Sequence, residues 1–236
     1  MKNIILLLVC TLLAFGSKAQ SLIGAWEGYH SSDGGEKLRS VAIFSEGYQV
    51  ITTYDSITGK FVGTNGGAWK ISGDTVTKKV EFDSTNSEAV GTELSFKFSI
   101  DHSNLDILGT GINFKRIDDG TPGQLQGAWL MSGRVVDGET NVRDTSGPRK
   151  TMKILSGTRF QWIAYDTATK QFMATGGGTY TTINGKYAEN IEFFSRDDSR
   201  VGMELTFNYS LIDANWHHSG LSSKGDPIHE IWSKRL

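Results

Sequence analysis

The chain has 236 residues, 24 basic against 26 acidic side chains and a formal charge of −2 at neutral pH; without clustered Lys and Arg, that balance argues against nucleic acid or an anionic membrane surface as partner. Its single cysteine, Cys10, excludes a disulfide framework and a thiolate metal cage. Twenty-eight glycines and three prolines point to a chain of many turns.

In chain order, the first segment carries Lys2, an apolar run from Ile4 through Phe15, and Ser17-Lys18-Ala19 before Gln20. This is the layout of a secretory signal peptide, residues 1–19, cleaved after Ala19, and it predicts a secreted or periplasmic protein. The run is too short to span a bilayer. Cys10 sits inside the run, so it is misplaced for a lipid anchor, and cleavage leaves 22 basic against 26 acidic residues, a charge of −4.

The mature sequence repeats itself. Residues 40–100 align without a gap to residues 151–211 at a constant offset of 111, with 18 identities in 61 positions, among them Tyr54/Tyr165, Phe61/Phe172, Gly66-Gly67/Gly177-Gly178 and Phe82/Phe193. A unit this long is a domain rather than a solenoid repeat. Two domains are expected, 20–118 and 119–236, joined at the polar segment Asp118–Gly123.

Within each copy the apolar residues recur with period two. Leu94, Phe96, Phe98 and Ile100 alternate with Ser95, Lys97 and Ser99, and Leu205-Thr206-Phe207-Asn208-Tyr209-Ser210-Leu211 repeats the pattern; such runs are strands with one face in a core. Similar runs at Val41–Phe44, Tyr48–Tyr54, Phe61–Gly63, Ala68–Ile71 and Val80–Phe82 are separated by turn signals such as Asp55–Gly59, Ser72-Gly73-Asp74 and Asn184-Gly185. The expected architecture is all-β: two tandem antiparallel barrels of about eight strands each. Copy two has eight extra residues around Val136–Pro148 and a longer hairpin at Ser219–Glu230, both read as loops, where function concentrates.

Gly24-Ala25-Trp26 and Gly127-Ala128-Trp129 open the two copies, and Lys115-Arg116 and Lys234-Arg235 close them. These motifs resemble the lipocalin and calycin group of β-barrels. That resemblance implies that Gly24, Trp26 and Arg116, and likewise Gly127, Trp129 and Arg235, form a structural corner with the basic side chain over the indole. Residues 125–236, with Thr151–Leu155, Thr175–Tyr180 and His229–Arg235, look like a bacterial family of secreted lipocalin-like domains of uncharacterised function; residues 22–117 do so more weakly.

An eight-stranded barrel holds either packed side chains or one small ligand. Copy two carries Phe160, Trp162, Tyr187 and Phe194 where copy one has Gln49, Ile51, Val76 and Asp83, an aromatic enrichment suited either to an apolar pocket or to a filled core. The predicted ligand walls are Trp162, Tyr165, Tyr180, Phe207, Tyr209 and Trp216.

Other clusters favour plain structural roles. His217 and His218 point to opposite strand faces and cannot easily share one ion, so the histidines, with His102 and His229, are read as exposed, and no metal is predicted. Leu22–Gly28 is also similar to the start of nitrobindin-like barrels, which bind haem through one late-strand histidine; His217 or His218 would be the ligand. The cofactor expectation is nevertheless none. Glu81, Glu93, Glu192 and Glu204 alternate with apolar neighbours and are read as solvated, so no catalytic carboxylate pair is expected. Asp55 and Asp166 are turn formers, and the glycine pairs allow strands to bend or to approach closely.

No nucleophile–base pair or cofactor fingerprint is present, so no enzyme is expected. The leading expectation is binding of a small, largely apolar molecule in the C-terminal barrel. The alternative is an interaction module whose filled barrels present loops to a protein or glycan partner.

Overall fold

The computed structural model describes residues 21–235, so the signal peptide expected at residues 1–19 lies outside the described residues. The first copy forms β1 (Gly24–Ser31), β2 (Lys37–Phe44), β3 (Tyr48–Asp55), β4 (Phe61–Ser72), β5 (Thr75–Asp83), β6 (Glu93–Ile100), β7 (Asn104–Ile107) and β8 (Asn113–Asp118). These run as an antiparallel meander that closes where β8 pairs with β1. The second copy forms β9 (Gly127–Val136), β10 (Glu139–Val142), β11 (Arg149–Leu155), β12 (Arg159–Asp166), β13 (Gln171–Ile183), β14 (Lys186–Phe194), β15 (Glu204–Ile212), β16 (Asn215–Leu221) and β17 (Pro227–Lys234). It closes through β17 on β9. The protein is therefore all-β, two closed eight-stranded antiparallel barrels in tandem, an architecture that fits a calycin-like fold. Among the described residues no helix is long and apolar enough to cross a membrane.

Three sequence expectations change. Phe61–Gly63 and Ala68–Ile71 are one strand, because the register shift at Gly66/Gly67 lets β4 bend without ending. The extra residues after β9 are not all loop: β10 folds back onto β9 outside the barrel. The longer hairpin is mostly strand, with β16 and β17 extended on either side of residues 222–226.

The Leu-x-Gly-Ala-Trp corner is built the same way twice. Trp26 Nε1 donates to the Leu22 carbonyl at 2.9 Å, and Trp129 Nε1 to the Leu125 carbonyl at 2.8 Å. Gly24 has φ +119°, and a Cβ there would lie 2.1 Å from the Asp118 carbonyl oxygen, so only glycine fits. The Arg116 guanidinium lies 3.9 Å over the Trp26 ring. In copy two, however, Lys234 lies nearer Trp129, at 5.7 Å. Arg235 instead turns toward the first barrel, 4.0 Å over Tyr48 and bonded to both Glu81 oxygens at 2.8 and 2.9 Å. Lys234 follows Trp232 by two residues as Arg116 follows Phe114, so Lys234 takes the indole position and strand alternation sends Arg235, like Ile117, to the interface face.

That contact belongs to a pseudo-symmetric interface between the barrels. Val41, Ile43, Val50, Tyr54 and Phe82 of the first pack with Met152, Ile154, Ile163, Tyr165 and Phe193 of the second in one buried cluster. Equivalent positions exchange partners, as in an isologous interface. The Tyr54 hydroxyl donates to Glu192 at 2.7 Å and the Tyr165 hydroxyl to Glu81 at 2.6 Å. Tyr54 stacks on Phe193 at 5.0 Å, Phe82 meets Tyr165 at 4.9 Å, and Phe61 stacks on its own counterpart Phe172. At the centre, Gln161 Nε2 donates to Thr64 and Thr175 while its oxygen accepts from Thr52.

Glu81 and Glu192 are consequently not solvated. Glu192 accepts from Arg39, Arg159 and Tyr54. Burial raises its pKa, but the bonds and charge of Arg159, with Tyr54 and Arg39, outweigh burial and hold it below the usual value. The join is pinned as well: the buried Asp118 carboxylate accepts from Ser156, Gly157 and Thr158 at the β11–β12 turn. Glu93 and Glu204 are exposed, as expected.

Candidate functional site: the interior and mouth of the second barrel

Alternation along the strands of the second barrel sends one face to the first barrel and the other to its own interior. On β12, Ile163 and Tyr165 join the interface cluster, whereas Phe160 and Trp162 belong to the inner one. Tyr165 therefore cannot line a pocket in this barrel; its hydroxyl is committed to Glu81 and Arg235. The other predicted walls do share the inner cluster. Phe207 and Trp216 are buried in it, with the half-buried Trp162 and Tyr209 packed against it. Tyr180 and Tyr209 sit toward the Trp129 end, where their hydroxyls donate to the Ser156 carbonyl and to Gln124.

The copies diverge most in the barrel interior. At the positions where copy one has Ala42, Val76, Leu105, Ile107, Ile112 and Phe114, copy two has Lys153, Tyr187, Trp216, His218, Glu230 and Trp232, while Lys78 is matched by Glu189. Lys153 and Glu189 form an ion pair at 2.8 Å with side chains 6% and 5% exposed. The ammonium also lies 5.0, 5.1 and 5.4 Å from the rings of Tyr187, Trp216 and Trp232. In the first barrel Lys78 bonds the neutral Asn65 Oδ1 at 2.5 Å, and burial, partly offset by the charge of Asp83, pushes its pKa down to about 8.

His218 is buried, contrary to the sequence expectation, because barrel closure turns its strand face inward. Its ring lies 4.1 Å from Phe207 and about 5.5 Å from Tyr187 and Trp216. Nδ1 is 3.5 Å from Glu230 Oε2, within ion-pair range but without hydrogen-bond geometry. Burial, then the nearby Lys153 charge, lowers its pKa, so the ring is neutral near pH 7. The Tyr187 hydroxyl and the indole nitrogens of Trp216 and Trp232 are likewise buried without a hydrogen-bond partner. Several polar atoms thus converge on the buried interior without a protein partner.

His217 and His229 face the other way and pair with each other at 3.1 Å, both half-buried. Among the described residues no group of three or more His, Cys, Asp or Glu could hold a metal ion. Neither haem candidate fits: His217 is paired with His229, and His218 is walled in by Phe207, Tyr187 and Trp216.

The interior opens at the end away from Trp129. A cavity of about 430 Å³ is lined there by Trp162, Ala164, Ala174 and Phe194. Trp162 and Phe194 meet edge to face at 5.5 Å across Gly176, where a Cβ would lie 2.7 Å from the indole nitrogen and 2.9 Å from the phenyl ring. The glycine run thus lets two aromatic walls close over one strand.

Four cations rim this mouth, Arg149, Arg196, Arg200 and Lys224, with one carboxylate, Asp197. Arg200 pairs with Asp197 at 3.0 Å and also bonds the Ser223 carbonyl, tying the hairpin tip to the rim. The Arg196 guanidinium donates to the Met173 carbonyl. The side chains of Arg149 and Lys224 make no hydrogen bond or salt bridge among the described residues. The sequence reading missed these cations because they are scattered over more than seventy residues. Alignment of the copies would have revealed them, since Leu38, Thr85 and Ala89 stand where copy two has Arg149, Arg196 and Arg200.

A larger cavity of about 580 Å³ lies at the seam between the barrels, where Phe44 and Glu46 face Leu155 and Arg235. Its arginine is already bound to Glu81.

Residues 124–235 match a family model described as a domain of unknown function (DUF4488). No curated protein matches the chain.

Proposed function

We propose that this is an exported, non-catalytic, tandem lipocalin-like protein whose second barrel binds a small molecule with a largely apolar body, while the first barrel is filled and braces it. The observation that carries the reading is the mouth of about 430 Å³, walled by inward-facing Trp162 and Phe194, at positions where the first barrel has Ile51 and Asp83. Apolar walls with a few convergent polar groups behind them are the usual composition of a small-molecule site. Native mass spectrometry of residues 20–236, purified without detergent from an exporting host, tests it. Wild type should carry mass that leaves on denaturation, and Trp162→Ala should arrive bare; equal retained mass in the variant would remove the site.

One feature favours the interaction reading. The hairpin added outside the barrel exposes Val136 by 50% and Val142 by 84%, apolar surface suited to a protein partner. Deleting residues 137–142 should abolish partner capture and leave small-molecule retention intact if both roles exist.

A further inference from the structure

The mouth and the interior differ in charge, and that difference specifies the ligand. The lining of the mouth has an excess of three positive charges, Arg149, Arg196, Arg200 and Lys224 against Asp197. Behind it, Lys153 is answered by Glu189 at 2.8 Å, and Glu230, beside the neutral His218, is answered by Arg134 at 3.3 Å. Glu230 is held ionised: burial raises its pKa, but His218, Lys153 and Arg134 outweigh that and lower it. An anionic group driven inward would leave water for a low-dielectric interior whose charges are already paired, Lys153 with Glu189 and Glu230 with Arg134, so no free cation there would offset its desolvation. At the rim it would meet Lys224 and Arg149, both lining the mouth; Arg149 feels the charge of its cross-strand neighbour Asp166, but among the described residues neither side chain makes a hydrogen bond or salt bridge.

We infer that the ligand is an organic anion, a carboxylate, sulfonate or phosphate on an apolar or aromatic body, bound with its charged group outward on the Arg149–Arg196–Lys224 rim and its body between Trp162 and Phe194. This rests on the small-molecule reading above and adds the charge and the orientation. Guanidinium forks suit planar and tetrahedral oxyanions, and Arg200, fixed to Asp197 and Ser223, keeps the rim in register while Arg149 and Lys224 remain available. The first barrel has none of the three arginines, so one site per chain follows.

A matched pair of fluorescent probes decides it. Phenylnaphthylamine and anilinonaphthalene sulfonate share one aromatic body and differ by the sulfonate. The full mature chain should bind the sulfonate roughly tenfold more tightly at low salt, the size expected of two or three exposed ion pairs, and high salt should close the gap. The double variant Arg149→Gln/Lys224→Gln, which removes two charges but no intramolecular bond, should close it as well, by lowering sulfonate affinity several-fold more than phenylnaphthylamine affinity. Equal affinity for both probes, each lost in Trp162→Ala, would overturn the anionic assignment and leave the binding reading standing. Binding of neither probe, or binding indifferent to Trp162, would overturn both.

Discussion

His218 is buried among three aromatic rings, and its lowered pKa has a signed consequence for stability. The unfolded chain takes up a proton on this ring near the ordinary value of 6.5, whereas the folded chain does so only at lower pH. Between those values the unfolded state binds more protons, so stability present above pH 6.5 is lost as the pH falls toward the folded value. His218→Leu, which approaches the copy-one residue Ile107, should be nearly neutral at about pH 8, because it removes two orphaned nitrogens along with the ring. It should also flatten the loss of stability as the pH falls below about 6.5. Denaturant midpoints measured from about pH 8 downward through that value test both effects; an unchanged slope in the variant would show that the ring is solvated. Period two placed His217 and His218 on opposite faces, but which face is interior depends on the closure of β17 on β9, a long-range pairing that no local pattern carries.

Strands were the most legible level of structure, because alternating apolar residues specify them twice, once per copy. The same alternation misled where a second barrel covers the outer face. Glu81 and Glu192 alternate with core residues just as solvated glutamates would, yet they end beside Arg235 and Arg159. A strand pattern separates two faces without saying whether water or protein lies on the second. The error is energetically large. Arg159 is 4% exposed, so Glu192→Gln should cost about 3 kcal/mol by leaving a buried guanidinium short of charge. Glu93→Gln, on an exposed strand end, should cost less than about 0.5 kcal/mol. Denaturant unfolding of the two variants measures the contrast, and near-equal losses would refute the buried interface cluster. Because Tyr54 and Tyr165 exchange partners across the seam, the two barrels should unfold in one transition.

At the scale of the whole molecule, duplication was legible from the constant offset, and the shared corner at Trp26 and Trp129 follows from it. The division of labour was only half legible. Aromatic enrichment of copy two pointed to Trp162, Phe207 and Trp216, which do face one interior, but Tyr165 was drawn to the interface by its place on the alternate face of β12. The rim of Arg149, Arg196, Arg200 and Lys224 comes together only when β11, the turn after β14 and the β16–β17 hairpin tip meet at one barrel end. On the proposed reading, one barrel fold with two different interiors has one copy brace and the other bind, so exchanging mouth residues between copies should exchange the property.

The measurement that reaches this claim most directly is a calorimetric titration of anilinonaphthalene sulfonate into residues 20–236 and into the same chain carrying Trp162→Ile/Arg149→Leu, which gives the second mouth the first copy's residues at two positions. The account predicts one site per chain in the wild type and none in the variant, with the variant's unfolding midpoint retained. Undiminished binding in a folded variant would place any small-molecule site elsewhere and contradict the account.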